Sequence, residues 1–206
     1  MIDVYTANTP NGIKVPIALE ELGLPYRLVR IDLSANQQKQ PEFLHINPNG
    51  RIPAIVDSDG PDGEPLNVFE SGAILWYLGE KFHGLLPLDP RERVSAMEYC
   101  FFQVGGVGPM FGQAGWFMRQ SSPIPLAVQR YQDESRRLTA VLEARLQVQP
   151  WLAGRSYSIA DIMNYGWLRQ LNYAGVDAAN YPAVEDWLAR ISARPAVIRA
   201  LAKLAN

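Results

Sequence analysis

The chain predicts a fold in two parts, an α/β half of order βαβ then ββα, followed by an all-helical half. Three observations carry that prediction. Short β-prone runs occur only up to Phe69. From Pro90 onward the strand patterns stop and apolar residues recur at helical spacing. Between them, Leu85 to Arg93 holds Pro87 and Pro90 and reads as a linker. The expected boundaries are 1–83 for the α/β domain, 84–90 for the linker and 91–206 for the helical domain.

Ile2 to Tyr5 is a β-prone run that ends at the turn cluster Asn8-Thr9-Pro10-Asn11-Gly12. Val15, Ala18, Leu19 and Leu22 then fall on one helical face, with Gly23 placed as a C-terminal cap and Pro16 tolerable only in the first turn. Tyr26 to Leu33 alternates, with Val29, Ile31 and Leu33 on one face. Strand, helix and strand in that order predict a parallel pair. Pro41 to Ile46 reads as a short helix, Asn47-Pro48-Asn49-Gly50 as a turn and Ala54 to Asp57 as a strand. Leu66 to Phe69 pairs back as a hairpin. Ser71 is expected to cap a helix carrying Ile74, Leu75, Leu78 and Phe82. Further helices are expected near 90–118, 124–147, 158–174, 181–193 and 195–204.

Composition narrows the function. Of 206 residues, 48% are hydrophobic and 19% charged, a globular balance. The formal net charge is -2 and no basic block occurs, which argues against nucleic acid or an anionic membrane as partner. No run approaches about 18 uninterrupted apolar residues, so no membrane span is expected. The N-terminus lacks a secretory pattern, and the cytoplasm is the expected location. A single cysteine, Cys100, excludes an internal disulfide framework or a CxxC pair, so any redox chemistry needs a thiol from outside the chain. His45 and His83 stand far apart without ligand spacing, and no metal site is expected.

Three constellations are candidates for carrying chemistry. Thr9-Pro10-Asn11-Gly12 precedes a helix, whose N-terminal N–H groups and partial positive charge favour a thiolate. Read alone, Thr9 and Asn11 only cap the helix. Asn47 to Ala54 places Ile52-Pro53 before a strand, a position suited to a cis peptide, which leaves the Ile52 backbone to pair with a ligand. An ordinary turn is the competing reading. Phe69-Glu70-Ser71 sets a carboxylate beside a helix N-terminus, complementary to an α-amino acid group. The alternative is a plain cap with Glu70 solvated. Ser158-Ile159-Ala160-Asp161 is a capping box and is read as structural. Gly105-Gly106-Val107-Gly108 follows a helix and lacks the lysine of a phosphate loop, so it reads as a bend. Cys100 lies among apolar residues and reads as an inert buried thiol.

Thr-Pro-Asn in the first turn, Asn-Pro-x-Gly-x-Ile-Pro before a strand, Glu-Ser opening a helix and Ser-Ile-Ala-Asp further on occur in order. With these motifs the sequence resembles cytosolic glutathione transferases along its whole length. Its nearest likeness is to the bacterial Nu class of glutathione-dependent disulfide-bond oxidoreductases. The resemblance implies a thioredoxin-like N-terminal domain and an all-α domain that completes the substrate pocket and dimer interface. It also implies glutathione as cosubstrate, a disulfide or electrophilic small molecule as partner, and a homodimer. Thr9 and Asn11 match the positions near the sulfur and take the catalytic role. Gln38 and Arg51 match the glycyl end, Ile52 the backbone pairing ahead of Pro53, and Glu70 and Ser71 the γ-glutamyl end. Arg130 matches an arginine that reaches a ligand across the dimer. The catalytic tyrosine, serine or cysteine that the resemblance associates with other classes is missing from the first turn. The activity expected is thiol–disulfide exchange through bound glutathione thiolate. The alternatives are conjugation of electrophiles, with peroxidase activity, and a non-catalytic binding protein on the same fold.

Overall fold

The computed structural model describes residues 1–205. They divide into two compact units, Met1–Leu86 with the residues from Arg194 onward, and Pro87–Ala193.

The first unit runs β1 (Ile2–Thr6), α1 (Lys14–Glu21), β2 (Tyr26–Arg30), α2 (Pro41–Ile46), β3 (Ala54–Asp57), β4 (Leu66–Phe69) and α3 (Ser71–Lys81). The sheet order is β2-β1-β3-β4, with β1 parallel to β2 and the other pairs antiparallel. Ile2, Val4 and Thr6 alternate onto the buried face of the central strand. α1 and α3 pack on each other, burying Ile17, Leu19, Ile74, Leu75 and Leu78 completely. Gly23 follows α1 at φ +66°, a backbone conformation that suits glycine at a helix end.

β2 is shorter than its alternation predicts. The ladder ends at Thr6 opposite Arg30, where β1 itself ends, after one further bond from the Ile31 N–H to the Thr6 carbonyl. The Asp32 carboxylate then accepts from the Ser34 and Ala35 N–H groups at 2.9 and 3.2 Å and turns the chain away.

α3 is moored to the sheet by a buried carboxylate. Asp57 in β3 accepts from Tyr77 at 2.8 Å and from Lys81 at 2.7 Å. Burial alone pushes its pKa up, but these donors outweigh burial and hold it below the usual carboxylate range. That mooring fixes where the N-terminus of α3 stands.

The second unit is helical: α4 (Pro90–Phe102), α5 (Gly108–Met118), α6 (Pro125–Leu146), α7 (Ile159–Leu168) and α8 (Pro182–Ser192). Asp89 caps α4 by accepting from the Arg91 and Glu92 N–H groups. The single helix expected over 90–118 is split by a π-helical turn, Gln103–Val107. The expected 158–174 helix ends at Leu168, and a 3-10 turn, Leu171–Ala174, follows it. The capping box forms. Asp161 is fully buried and accepts from the Ser158 N–H at 2.9 Å, the Leu152 N–H at 3.0 Å and the Trp187 indole at 2.9 Å.

The last helix, α9 (Pro195–Ala205), was expected in the helical domain but belongs to the first unit. Its pattern is amphipathic, and Ala196, Val197, Ala200 and Leu204 are buried, with α9 packed on α1. Charge pairs hold its other face. Arg199 and Lys203 meet Glu20 at 2.8 and 2.6 Å, and Arg194 meets Glu21 at 2.5 Å. No helix among the described residues is long and apolar enough to cross a membrane.

Candidate functional site

The turn between β1 and α1 is drawn tight by two hydroxyls. Thr6 donates to the Gly12 carbonyl at 2.8 Å, and Thr9 accepts from the Gly12 N–H at 3.0 Å. A Cβ on Gly12 would stand 2.0 Å from the Ala7 carbonyl oxygen, so only glycine fits this approach. Thr9 therefore caps the turn rather than α1, whose cap position is Ile13 with no side-chain cap. Its hydroxyl keeps its own hydrogen to donate elsewhere.

Asn11 lies one step further along. Its Oδ1 accepts from the Lys14 ammonium at 2.9 Å. Lys14 is completely buried in the first turn of α1, and it also donates to the Ser71 hydroxyl at 3.3 Å. Ser71 was expected as the cap of α3. Instead it is the first helical residue, itself buried, and its oxygen serves Lys14. The cap position falls to Glu70, which makes no side-chain cap bond and sits at φ +69°, ψ 116°. A non-glycine residue held there carries strain of the kind found at functional sites.

The turn before β3 is built by Asn47, which is buried. Its Oδ1 accepts from the Asn49 N–H at 2.9 Å, and its amide donates to the Arg51 carbonyl at 2.6 Å. Gly50 completes the turn at φ +61° and donates to the Asn47 carbonyl at 2.9 Å. The Ile52-Pro53 bond is cis. The ladder begins only at Ala54, which pairs with Tyr5 and Phe69, so Ile52 lies beyond the sheet's own hydrogen bonding.

The surrounding groups close on this turn. A Cβ on Gly50 would come within 2.9 Å of the Gln38 carbonyl oxygen, which sets Gln38 against it. The Gln38 Oε1 is buried without a hydrogen-bond partner among the described residues, an acceptor that a ligand N–H or water would satisfy. Asn49 donates to Glu70 at 3.4 Å, linking the turn to the start of α3. Arg51 and Glu70 are exposed.

The first unit thus gathers Thr9, Asn11, Gln38, Ile52, Pro53, Glu70 and Ser71 around the loops after β1, before β3 and after β4, with Arg51 at the rim. Arg130 belongs to the second unit, exposed on α6. Lys14 is absent from the residues expected from sequence, while Asn47 and Asn49 stand in the expected turn motif without a role of their own. Lys14 had a readable signal. It stands four residues before Ala18, on the apolar face of α1, where an exposed lysine does not belong. The chemistry on offer is a set of donors at one end, a carboxylate beside a helix N-terminus at the other, and an unladdered backbone between.

Two family models cover most of the chain. The glutathione S-transferase N-terminal domain matches residues 2–80, and the glutathione S-transferase C-terminal domain matches residues 117–195. The disulfide-bond oxidoreductase YfcG of Escherichia coli strain K12 is 50% identical, over 98% of this chain and 95% of its own length. A glutathione transferase family member from Pseudomonas fluorescens, solved with two glutathiones bound, superposes with a TM-score of 0.93. It is 44% identical, over 97% of this chain and 92% of its own. A glutathione transferase from Pseudomonas putida, solved with one glutathione disulfide per subunit, gives a TM-score of 0.92. Its identity is 41%, over 97% of this chain and 90% of its own.

Proposed function

The chain belongs to the glutathione S-transferase family, and from that premise we propose that it is a glutathione-dependent disulfide-bond oxidoreductase. The observation that carries this reading is the chemistry of the first turn. Thr9 and Asn11 accept from Gly12 and Lys14 there and carry a hydroxyl hydrogen and an amide NH2, and neither is a nucleophile or a base near neutral pH. The reacting sulfur is therefore glutathione's own. The protein binds it, stabilises its thiolate and aims it.

Glutathione lies with its γ-glutamyl end at Glu70 and Ser71. Its backbone pairs with Ile52 ahead of Pro53, and its glycyl end is at Gln38 and Arg51. The thiolate then attacks one sulfur of a disulfide. The S–S bond breaks, one thiolate leaves and takes a proton, and a mixed disulfide forms. A second glutathione thiolate resolves it. Two glutathiones are oxidised to glutathione disulfide while the substrate disulfide is reduced to two thiols. The glutathione disulfide in the Pseudomonas putida relative supports a site that takes this product. The cytoplasm, with its reducing glutathione pool, is the compartment that suits this chemistry.

Turnover with hydroxyethyl disulfide, set against an aryl halide, tests the reading. Reduction of the disulfide is expected to dominate. Activity confined to the halide would make the protein a conjugating transferase, and activity with neither would make it a binding module.

We also read the chain as a homodimer. Val94, Met97, Phe101 and Val104 recur three, four and three residues apart along α4 and the turn after it, and stay 59%, 40%, 68% and 45% exposed. A continuous apolar stripe of this kind supports burial against a second copy. Arg130 is assigned to the ligand by resemblance alone.

A further inference from the structure

We propose that Lys14 is a positioning residue that sets the hydrogen-bond polarity of both ends of the glutathione site. The inference rests on the binding mode proposed above and adds a residue to it. Lys14 is completely buried, and its ammonium reaches Asn11 at 2.9 Å and Ser71 at 3.3 Å, two residues 60 positions apart that serve the sulfur and the γ-glutamyl carboxylate.

An ammonium is a donor only. Whatever it touches must accept. At Asn11 this decides the amide orientation: the oxygen turns to Lys14, and the NH2 becomes the end that serves the ligand. An NH2 stabilises a thiolate, whereas the amide oxygen would repel it. At Ser71 the same rule applies. The hydroxyl oxygen accepts from Lys14, so its hydrogen is the part given to the carboxylate. One buried cation thus makes two ambivalent side chains donors toward an anionic ligand. Its charge adds in the same direction, since a positive group near a thiol favours the ionised form. Neither Asn11 nor Ser71 needs to move for this, so the site meets the ligand already arranged.

The test compares Lys14→Met, which keeps the length and apolar stem, with Lys14→Arg, which keeps a donor-only cation. The thiol pKa of bound glutathione is read from the ultraviolet thiolate absorbance across pH, and affinity is read by calorimetry. In Lys14→Met the bound thiol pKa is expected to rise by about one unit and affinity to fall about tenfold. Lys14→Arg is expected to restore most of the pKa shift. In the Asn11→Ala background, Lys14→Met is expected to change the thiol pKa much less, because the amide it orients is gone. A role confined to packing would leave the thiol pKa unchanged in Lys14→Met. If that variant does not fold, Lys14→Gln, which keeps a donor without charge, carries the same comparison. A wild-type protein that binds glutathione with a lowered thiol pKa, alongside a variant with the same pKa, overturns the role of Lys14 alone. A wild-type protein that does not bind glutathione overturns the binding mode and the proposal together.

Discussion

Glu70 concentrates the tension between stability and function in one residue. Its backbone is held at φ +69°, where a side-chain-bearing residue is uncomfortable, and its carboxylate is exposed beside the first turn of α3. Among the described residues its carboxylate accepts one long hydrogen bond, from Asn49 at 3.4 Å. A ligand ammonium at this carboxylate forms a charge-assisted hydrogen bond of about 1.5–3 kcal/mol. Glu70→Ala is therefore expected to weaken glutathione binding about ten- to hundredfold. Isothermal calorimetry that finds unchanged affinity would remove Glu70 from the site. Ser71 and Lys14 are the complementary case. Both are buried, so changing either disturbs packing as well as binding, and a conservative partner variant is needed to separate the two.

At the scale of elements, α1 carries the site at its start and the C-terminal anchor at its end. Glu20 is held below the usual carboxylate range. Burial pushes its pKa up, but Lys203 and Arg199 of α9, with the Tyr26 hydroxyl of β2, pull it further down. The sign follows directly. A carboxyl depressed in the folded state contributes stability above its unfolded pKa, and that contribution is lost as pH falls through the folded value. Docking of α9 is thus expected to weaken on acidification below about pH 4, near the ordinary glutamate pKa. Hydrogen exchange of the α9 amides, followed from neutral to acid pH, measures this. In Glu20→Gln, protection is expected to be lower at neutral pH and to vary less with pH. An α9 whose protection in the variant tracks the wild type at every pH would show that its apolar face alone holds it.

At the scale of the molecule, the exposed stripe on α4 is the feature a lone chain explains least. Phe101 is 68% exposed, and Met97 and Val104, four before and three after it, are apolar and exposed as well. Light scattering at micromolar concentration is expected to give twice the chain mass, and Phe101→Glu is expected to shift it toward one chain by placing a charge in the apolar contact. A wild-type mass of one chain would contradict the dimer. Cys100 lies on the same helix but is buried.

The sequence by itself determined the division into an α/β half and a helical half, because strand alternation and helical spacing are local signals that survive without contacts. It also marked the capping box and the turn before β3, since Ser158 with Asp161, and Asn47 to Pro53, act within a few residues of chain. Tertiary structure alone decided what depends on distant partners. α9 joined the first unit because Glu20 and Glu21, more than 170 positions away, supply its counter-charges, and no periodicity in α9 names its partner. The π-helical turn replaced a continuous helix where Gly106 comes against Leu138 of α6, a contact invisible in the local pattern. Ser71 read as a cap because serine at a helix start normally is one. Only the fold brought the buried Lys14 to it across 57 positions, and a donor-only cation claimed the oxygen that a cap would have used.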